Sequence, residues 1–471
     1  MVIAETGRLS LTELRECYRR RELSPVEVTR DVLARIERLN GDLNAIVTVA
    51  PELALEAASA AEAAYASGEA GALAGVPFTV KDTIATRGVR TTMGSLLYED
   101  WVPDFDPPSV QRTRAAGGVL LGKTNTAEFG WMGATDNRVF GPTLNPWDVA
   151  LSPGGSGGGA AAAVAAGLGP VAFGTDAAGS TRIPASFCGV YGYKPSFGRI
   201  PVVPAGAVES LAHVGILSRT VHDAAALLEV AAGPHPADRL SLPAARDSYA
   251  ELAVGEMRGL RVAWTPDLGY APVDARVRAR AEAAARVFES LGCQLEEVDL
   301  ELEDPYEALD VLLASSTAGA HRDDFEAVRE RLDPGRVEVI EAGFRLTAAD
   351  VGAATNLRAR FGAALRSALD GFDLLLTPAT PVTAFASDAQ GPPDVAGEER
   401  PGLSWSAFSY PFNLTGQPSA SLPCPADDGV QLGLQVVGPW QDDALVLRAS
   451  AAYEAAQPWA HAWPPCAGAE A

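Results

Sequence analysis

Residues 153–182 read PGGSGGGAAAAVAAGLGPVAFGTDAAGSTR. The first part is glycine, serine and proline. GGGAAAAVAAGL then has the composition of a buried helix with small side chains, entered from Ser156. VAFGTD at 171–176 reads as a strand, and it runs into AAGSTR, a loop of small and polar residues. A small-residue helix followed directly by an apolar strand is an α/β signal.

Working outward, GVPFTVKD at 75–82 alternates Val76, Phe78 and Val80 with Pro77, Thr79 and Lys81, a strand that ends at Lys81-Asp82. GGVLLGKT at 117–124 is another short strand, and NPWD at 145–148 a turn. Residues 9–66 read as helices, with Ser24-Pro25 as a start and Val26, Val28, Val32, Leu33 and Ile36 at roughly helical spacing. After about 216, strands and helices alternate. Strands are expected at 260–264, 293–300, 373–376 and 433–438. One helix has Val277, Ala281, Ala284, Phe288 and Leu291 on one face and stops at Gly292; further helices fill most of 305–370 and 443–456. No repeat and no linker divides the chain. The expected fold is therefore one large α/β domain over 1–471 around a mixed sheet, with N-terminal helices at 9–66, a core at 75–216 and a remainder at 217–460.

The 471 residues carry a formal charge of -23, with a pI near 4.6, 21% charged and 47% apolar residues. A surface this acidic repels phosphate backbones and anionic membranes, which argues against nucleic acid or membrane as the partner. The start of the chain has no apolar signal core. The most apolar run, 160–173, is shorter than the ~20 residues of a membrane span and is interrupted by Gly167 and Gly169. Five scattered cysteines (Cys17, Cys188, Cys293, Cys424, Cys466) form no metal-binding pattern, so no metal or other cofactor is expected and reduced thiols in a cytoplasm are the default.

Only three of the 37 basic residues are lysine: Lys81, Lys123 and Lys194, all in the glycine-rich stretch. Where the chain needs only charge it uses arginine, so a retained lysine marks a place where an amine has a role guanidinium cannot take, such as losing its proton.

Three motifs compete. GGVLLGKT matches the phosphate-loop pattern G-x-x-x-x-G-K-[ST], but its middle is a buried strand rather than a loop of free N–H groups, so a core strand is the better reading. Residues 154–158 match G-x-S-x-G, the nucleophile elbow, which needs a histidine base late in the chain. Of His213, His222, His235, His321 and His461, only the last lies near the C-terminus, in a tail-like AQPWAHAWPP, so no histidine is assigned. The third is GTDAAGSTR, where Ser180 follows Ala177-Ala178-Gly179. Small residues let several backbone N–H groups converge on one point, as an oxyanion hole requires. Two serines and a neutral lysine can do the work of serine and histidine.

At this point the chain resembles the amidase signature family. Residues 153–201 look like the family's signature, and GVPFTVKD, LLGKTNTAEF, FGPTLNPWD, DLLLTPATP and NLTGQPSASLP fit the same pattern, over about 9–460. The resemblance implies a Ser–cis-Ser–Lys amide hydrolase with a mixed sheet covered by helices on both faces. Carried over position by position, Lys81 is the base, Ser156 the proton relay after a cis bond, and Ser180 the nucleophile that forms the acyl-enzyme. The backbone N–H groups of Ala177, Ala178, Gly179 and Ser180 form the oxyanion hole, Asp176 and Arg182 pair to hold the loop, and Lys123 and Lys194 anchor carbonyls in the core. Two positions depart from the pattern: Gly157 replaces a second serine that supplies a supporting hydroxyl, and Ala178 replaces a glycine.

The implied substrate is a small-molecule amide. Trp131, Met132, Gly133, Phe187 and Trp405 are expected in its pocket, which suggests an apolar or aromatic acyl group; a homodimer is left open. The main alternative is the glutaminase component of the glutamyl-tRNA amidotransferase, its A chain. Ser406 falls about where that component has a glutamine-binding aspartate, which argues against it. A nucleotide-binding protein is the distant third reading.

Overall fold

The structure is a computed structural model that describes residues 3–468 apart from 246–247, 253–254 and 427. Among these residues, eleven strands hydrogen-bond into one sheet: β1 (Ile46–Val49), β2 (Pro77–Lys81), β3 (Val119–Thr124), β4 (Val171–Asp176), β5 (Tyr191–Lys194), β6 (His213–Ser218), β7 (Arg261–Trp264), β8 (Gln294–Glu297), β9 (Leu374–Pro378), β10 (Ser419–Pro423) and β11 (Gly433–Val437). Their order is β1-β3-β2-β4-β6-β5-β10-β11-β9-β7-β8. The sheet is mixed: β2 runs parallel to β3 and β4, and β7 to β8 and β9, while β4–β6, β6–β5, β5–β10 and β10–β11 are antiparallel.

Side-chain alternation fills both faces. Val171 and Phe173 of β4 pack into the main core with Phe78 and Val80 of β2, while Ala172 packs the other way, against the helix Gly158–Ala165. Leu374 and Leu376 of β9 join the main core, and Leu375 joins a second cluster with Leu309, Leu357 and Phe361 from the helices Tyr306–Ala320 and Ala348–Ala368. Every residue of Gly158–Ala165 is buried. Its glycines allow close approach: a Cβ on Gly159 would lie 2.4 Å from the Asn125 backbone nitrogen.

The helix expected at Ser24-Pro25 begins there: Ser24 and Glu27 form a reciprocal capping box, with Pro25 at the first position. The segment 9–66 is not helical throughout. Asn44 turns left-handed (φ 49°) and ends the helix Pro25–Leu43, and β1 follows, paired antiparallel with β3. Four residues are too few to show a period, so tertiary pairing decides this strand. The sequence also concealed β5, β6 and β10, whose glycines and serines dilute the strand pattern although all three are fully buried. The strand expected over 293–300 is confined to Gln294–Glu297.

GGVLLGKT is a strand. The backbone of β3 is engaged with β1 on one side and β2 on the other, so it offers no phosphate cradle. Among the described residues, no helix is long and apolar enough to cross a membrane.

Candidate active site

Period two places Lys81 on the face of β2 opposite Phe78 and Val80, where it is fully buried. Its Nζ lies 2.8 Å from Ser156 Oγ and 2.9 Å from Thr175 Oγ1. Ser156 follows a cis Gly155–Ser156 bond in the turn before the helix Gly158–Ala165. Only glycine fits at 155, because a Cβ there would lie 2.1 Å from the Ala134 carbonyl oxygen. Ser156 Oγ is 3.0 Å from Ser180 Oγ, which sits between β4 and the helix Arg182–Cys188. Lys81 and Ser156 are buried, while Ser180 is half-buried and lines a cavity. The three sequence candidates thus form one unbroken line from core to cavity.

Burial pushes the Lys81 amine down to about 7, against the opposing pull of the Asp176 charge. A large fraction is therefore neutral near neutral pH, with a lone pair able to accept the Ser156 hydroxyl while an N–H donates to Thr175. Sequence reasoning missed Thr175 and also Gly130. Gly130 is left-handed (φ 76°), and a Cβ on it would stand 3.0 Å from Ser156 Oγ and 3.8 Å from Lys81 Nζ.

Asp176 and Arg182 pair as expected, at 2.8 Å between buried groups. Arg182 also donates to the Ser409 carbonyl, Gln435 Oε1 and Asn413 Oδ1. Burial raises the Asp176 carboxyl, but the Arg182 charge and hydrogen bonds, with Lys194 and Asn413, hold it well below the usual carboxylate range. Asn413 donates to both the side chain and the carbonyl of Asp176. The sequence signal for it is the NLTGQ stretch.

The four-amide oxyanion expectation needs correcting. The Gly179 N–H donates to Asp176 Oδ1 at 2.8 Å, and a buried anion holds it there. Among the described residues, the amides of Ala177, Ala178 and Ser180 have no intramolecular acceptor, which leaves three candidates.

The two departures from the family pattern have different consequences. Ala178 is not left-handed, and its methyl packs in the cluster with Leu211 and Tyr410. Gly157 donates its N–H to the Ser180 carbonyl at 3.1 Å, and a Cβ at 157 would lie 2.5 Å from that oxygen. A serine here would push directly on the Ser180 backbone.

The cavity has a volume of about 1010 Å³. Trp131, Met132, Gly133 and Trp405 line it, together with Tyr98, Trp101 and Phe129. Phe187 does not. It is 1% exposed and stacks on Trp405 at 6.5 Å, supporting the wall from behind. Lys123 and Lys194 do anchor carbonyls: Lys123 donates to the Ile84 carbonyl and to Thr86 and Thr91, Lys194 to those of Gln417 and Pro195. Ser406 donates to the Leu403 carbonyl and is not part of the cavity lining. Among the described residues, no histidine hydrogen-bonds to Ser156 or Ser180.

A model of the amidase family matches residues 27–447. The chain belongs to the amidase family. It is 39% identical to an acylamidase of Rhodococcus erythropolis, with 96% of each chain covered. It is 35% identical to the glutaminase-bearing A chain of the glutamyl-tRNA(Gln) amidotransferase of Moorella thermoacetica, with 95% of this chain and 96% of that one covered. A bacterial aryl acylamidase of the amidase signature family superposes with a TM-score of 0.92 at 33% identity, covering 98% of this chain and 99% of the other. This amidase is therefore an enzyme that hydrolyses carboxylic amide C–N bonds on a mixed-sheet amidase signature fold.

Proposed function

We propose that Ser180 is the nucleophile, Ser156 the proton relay and Lys81 the base, acting on a small-molecule amide with an apolar or aromatic acyl group. The observation that carries this is the Lys81–Ser156–Ser180 line, with steps of 2.8 and 3.0 Å, ending at a cavity walled by Trp131, Met132 and Trp405.

As Ser180 Oγ attacks the carbonyl carbon, its proton passes to Ser156 Oγ and the Ser156 proton passes to Lys81 Nζ. The oxyanion is held by the free amides of Ala177, Ala178 and Ser180. Collapse of the tetrahedral species breaks the C–N bond, and the proton returns through Ser156 to the departing amine. Water, deprotonated by the same relay, then attacks the acyl-Ser180 ester and releases the carboxylate. Asp176 and Arg182 fix the loop and take no part in the proton transfers. The similarity to an acylamidase and an aryl acylamidase supports a chain that works without partner proteins. A cytoplasmic location fits its reduced cysteines.

The test is Ser180→Ala assayed on simple aryl amides, with peptide mapping after labelling by a serine-reactive phosphonate. Turnover is expected to fall by roughly 10⁴-fold or more, and the label to vanish from the 177–182 loop. Activity near wild type in Ser180→Ala would overturn the assignment. Release of ammonia from glutamine only in the presence of partner proteins would favour the amidotransferase reading.

A further inference from the structure

Arg336 is unused by this mechanism, yet it lines the same cavity. It lies near the start of the helix Pro334–Arg345 and is 5% exposed. Among the described residues it has no ion pair, and its buried Nε has no hydrogen-bond partner. The other buried arginines, Arg35, Arg182, Arg199 and Arg219, all donate to carbonyls or carboxylates. Arg336 instead lies over the Phe129 ring, 4.4 Å from its centroid. A buried guanidinium without acceptors is costly unless something supplies them.

The nearest carboxylates are already engaged. Glu128 accepts from Ser95 Oγ at 2.6 Å and from the Asp333 amide at 2.7 Å, and Asp333 itself caps the helix through the Gly335 amide at 2.9 Å. Asp324 sits against His321 Nδ1 at 3.2 Å. Burial lowers the Arg336 guanidinium only to about 10, so it stays charged at neutral pH. Its place next to the chemistry follows from the chain. Gly130, which abuts Ser156, precedes Trp131, whose ring packs against Gly335, and follows Phe129, the ring beneath Arg336.

We infer that Arg336 is a specificity-determining residue that binds a carboxylate on the substrate, remote from the scissile amide. The recognised class is thus an amide bearing a free carboxylate on its aryl or acyl portion. A planar guanidinium resting on an aromatic ring is pre-oriented for bidentate contact with such a group. This rests on the reading that the cavity beside Ser180 holds the substrate.

Two matched pairs separate the possibilities: 4-acetamidobenzoate and its methyl ester, with the carboxylate on the amine half, and glutaric acid monoanilide and its methyl ester, with it on the acyl half. In wild type, kcat/KM for the acid is expected to exceed that for the ester by roughly tenfold or more in at least one pair. In Arg336→Met that ratio should fall to about one, and Arg336→Lys should recover part of it. A ratio within one protein does not depend on how much of the variant is folded. Calorimetric binding of the same pairs to Ser180→Ala gives a readout without turnover, and Ser180→Ala/Arg336→Met should lose the acid preference. No acid preference in wild type, or one unchanged in Arg336→Met, overturns the inference. Turnover surviving in Ser180→Ala would overturn the nucleophile assignment instead.

Discussion

Lys81 and Lys123 lie on adjacent parallel strands, one residue apart in register, and both are fully buried. Burial depresses both amines, Lys81 to about 7 and Lys123 to about 8, with Asp82 and Asp106 opposing the shift at Lys123. Their partners separate them. Lys123 faces the Ile84 carbonyl, which can only accept, and the hydroxyls of Thr86 and Thr91. It must therefore remain a donor. Lys81 faces two hydroxyls, Ser156 and Thr175, and a hydroxyl can give a proton as well as take one. Burial makes an amine titratable near neutrality, but only a partner able to donate makes it a base.

That contrast breaks most readily at Lys81. Lys81→Met keeps length and apolar bulk while removing the lone pair, so kcat/KM should fall by roughly 10³-fold or more with little loss of thermal stability. Retention of more than a tenth of the rate would show that burial, and not base chemistry, explains this lysine. A pH profile sharpens the point. Below about 7 Lys81 takes up a proton and loses its lone pair, so kcat/KM should drop roughly tenfold per pH unit on the acid limb. A limb centred well below 6 would assign the titration to another group.

Gly157→Ser restores the family's second serine, but its Cβ would lie 2.5 Å from the Ser180 carbonyl. A drop of about tenfold in kcat, measured at unchanged folded fraction, is expected; a rate increase would mean the Ser180 loop relaxes freely. Lys123→Met should change the rate least, within about threefold per folded molecule. It leaves the Ile84 carbonyl and two threonine hydroxyls short of a donor, so stability should fall by about 1–3 kcal/mol in denaturant unfolding. A large rate loss without destabilisation would extend the active site to β3.

The sheet was legible where apolar alternation is clean, as in PFTVK, and hidden where glycine and serine break it, as in YGYK, HVGILS and SASLP. Those strands form because neighbours on both sides supply the ladder, and no local window contains those neighbours. The site was legible where chemistry needs a distinctive side chain in a distinctive frame. Thr175 and Asn413 were not, because an ordinary threonine and asparagine become site residues only through what they touch across 94 and 237 residues of chain. Phe187 was placed in the pocket by its aromatic character, but stacking on Trp405 puts it behind the wall.

By itself the sequence determined the residue types: two serines in glycine-rich loops, three lysines among arginines, an acidic surface and one α/β domain. Those are set by composition and local pattern. Tertiary structure alone decided what each group faces. It turned the Gly179 amide onto Asp176, gave Lys81 hydroxyls and Lys123 a carbonyl, and left Arg336 buried over Phe129 without an acceptor. The reason is electrostatic: in a medium without water, the role of a polar group is fixed by the few atoms within about 3 Å of it, and those atoms come from distant parts of the chain.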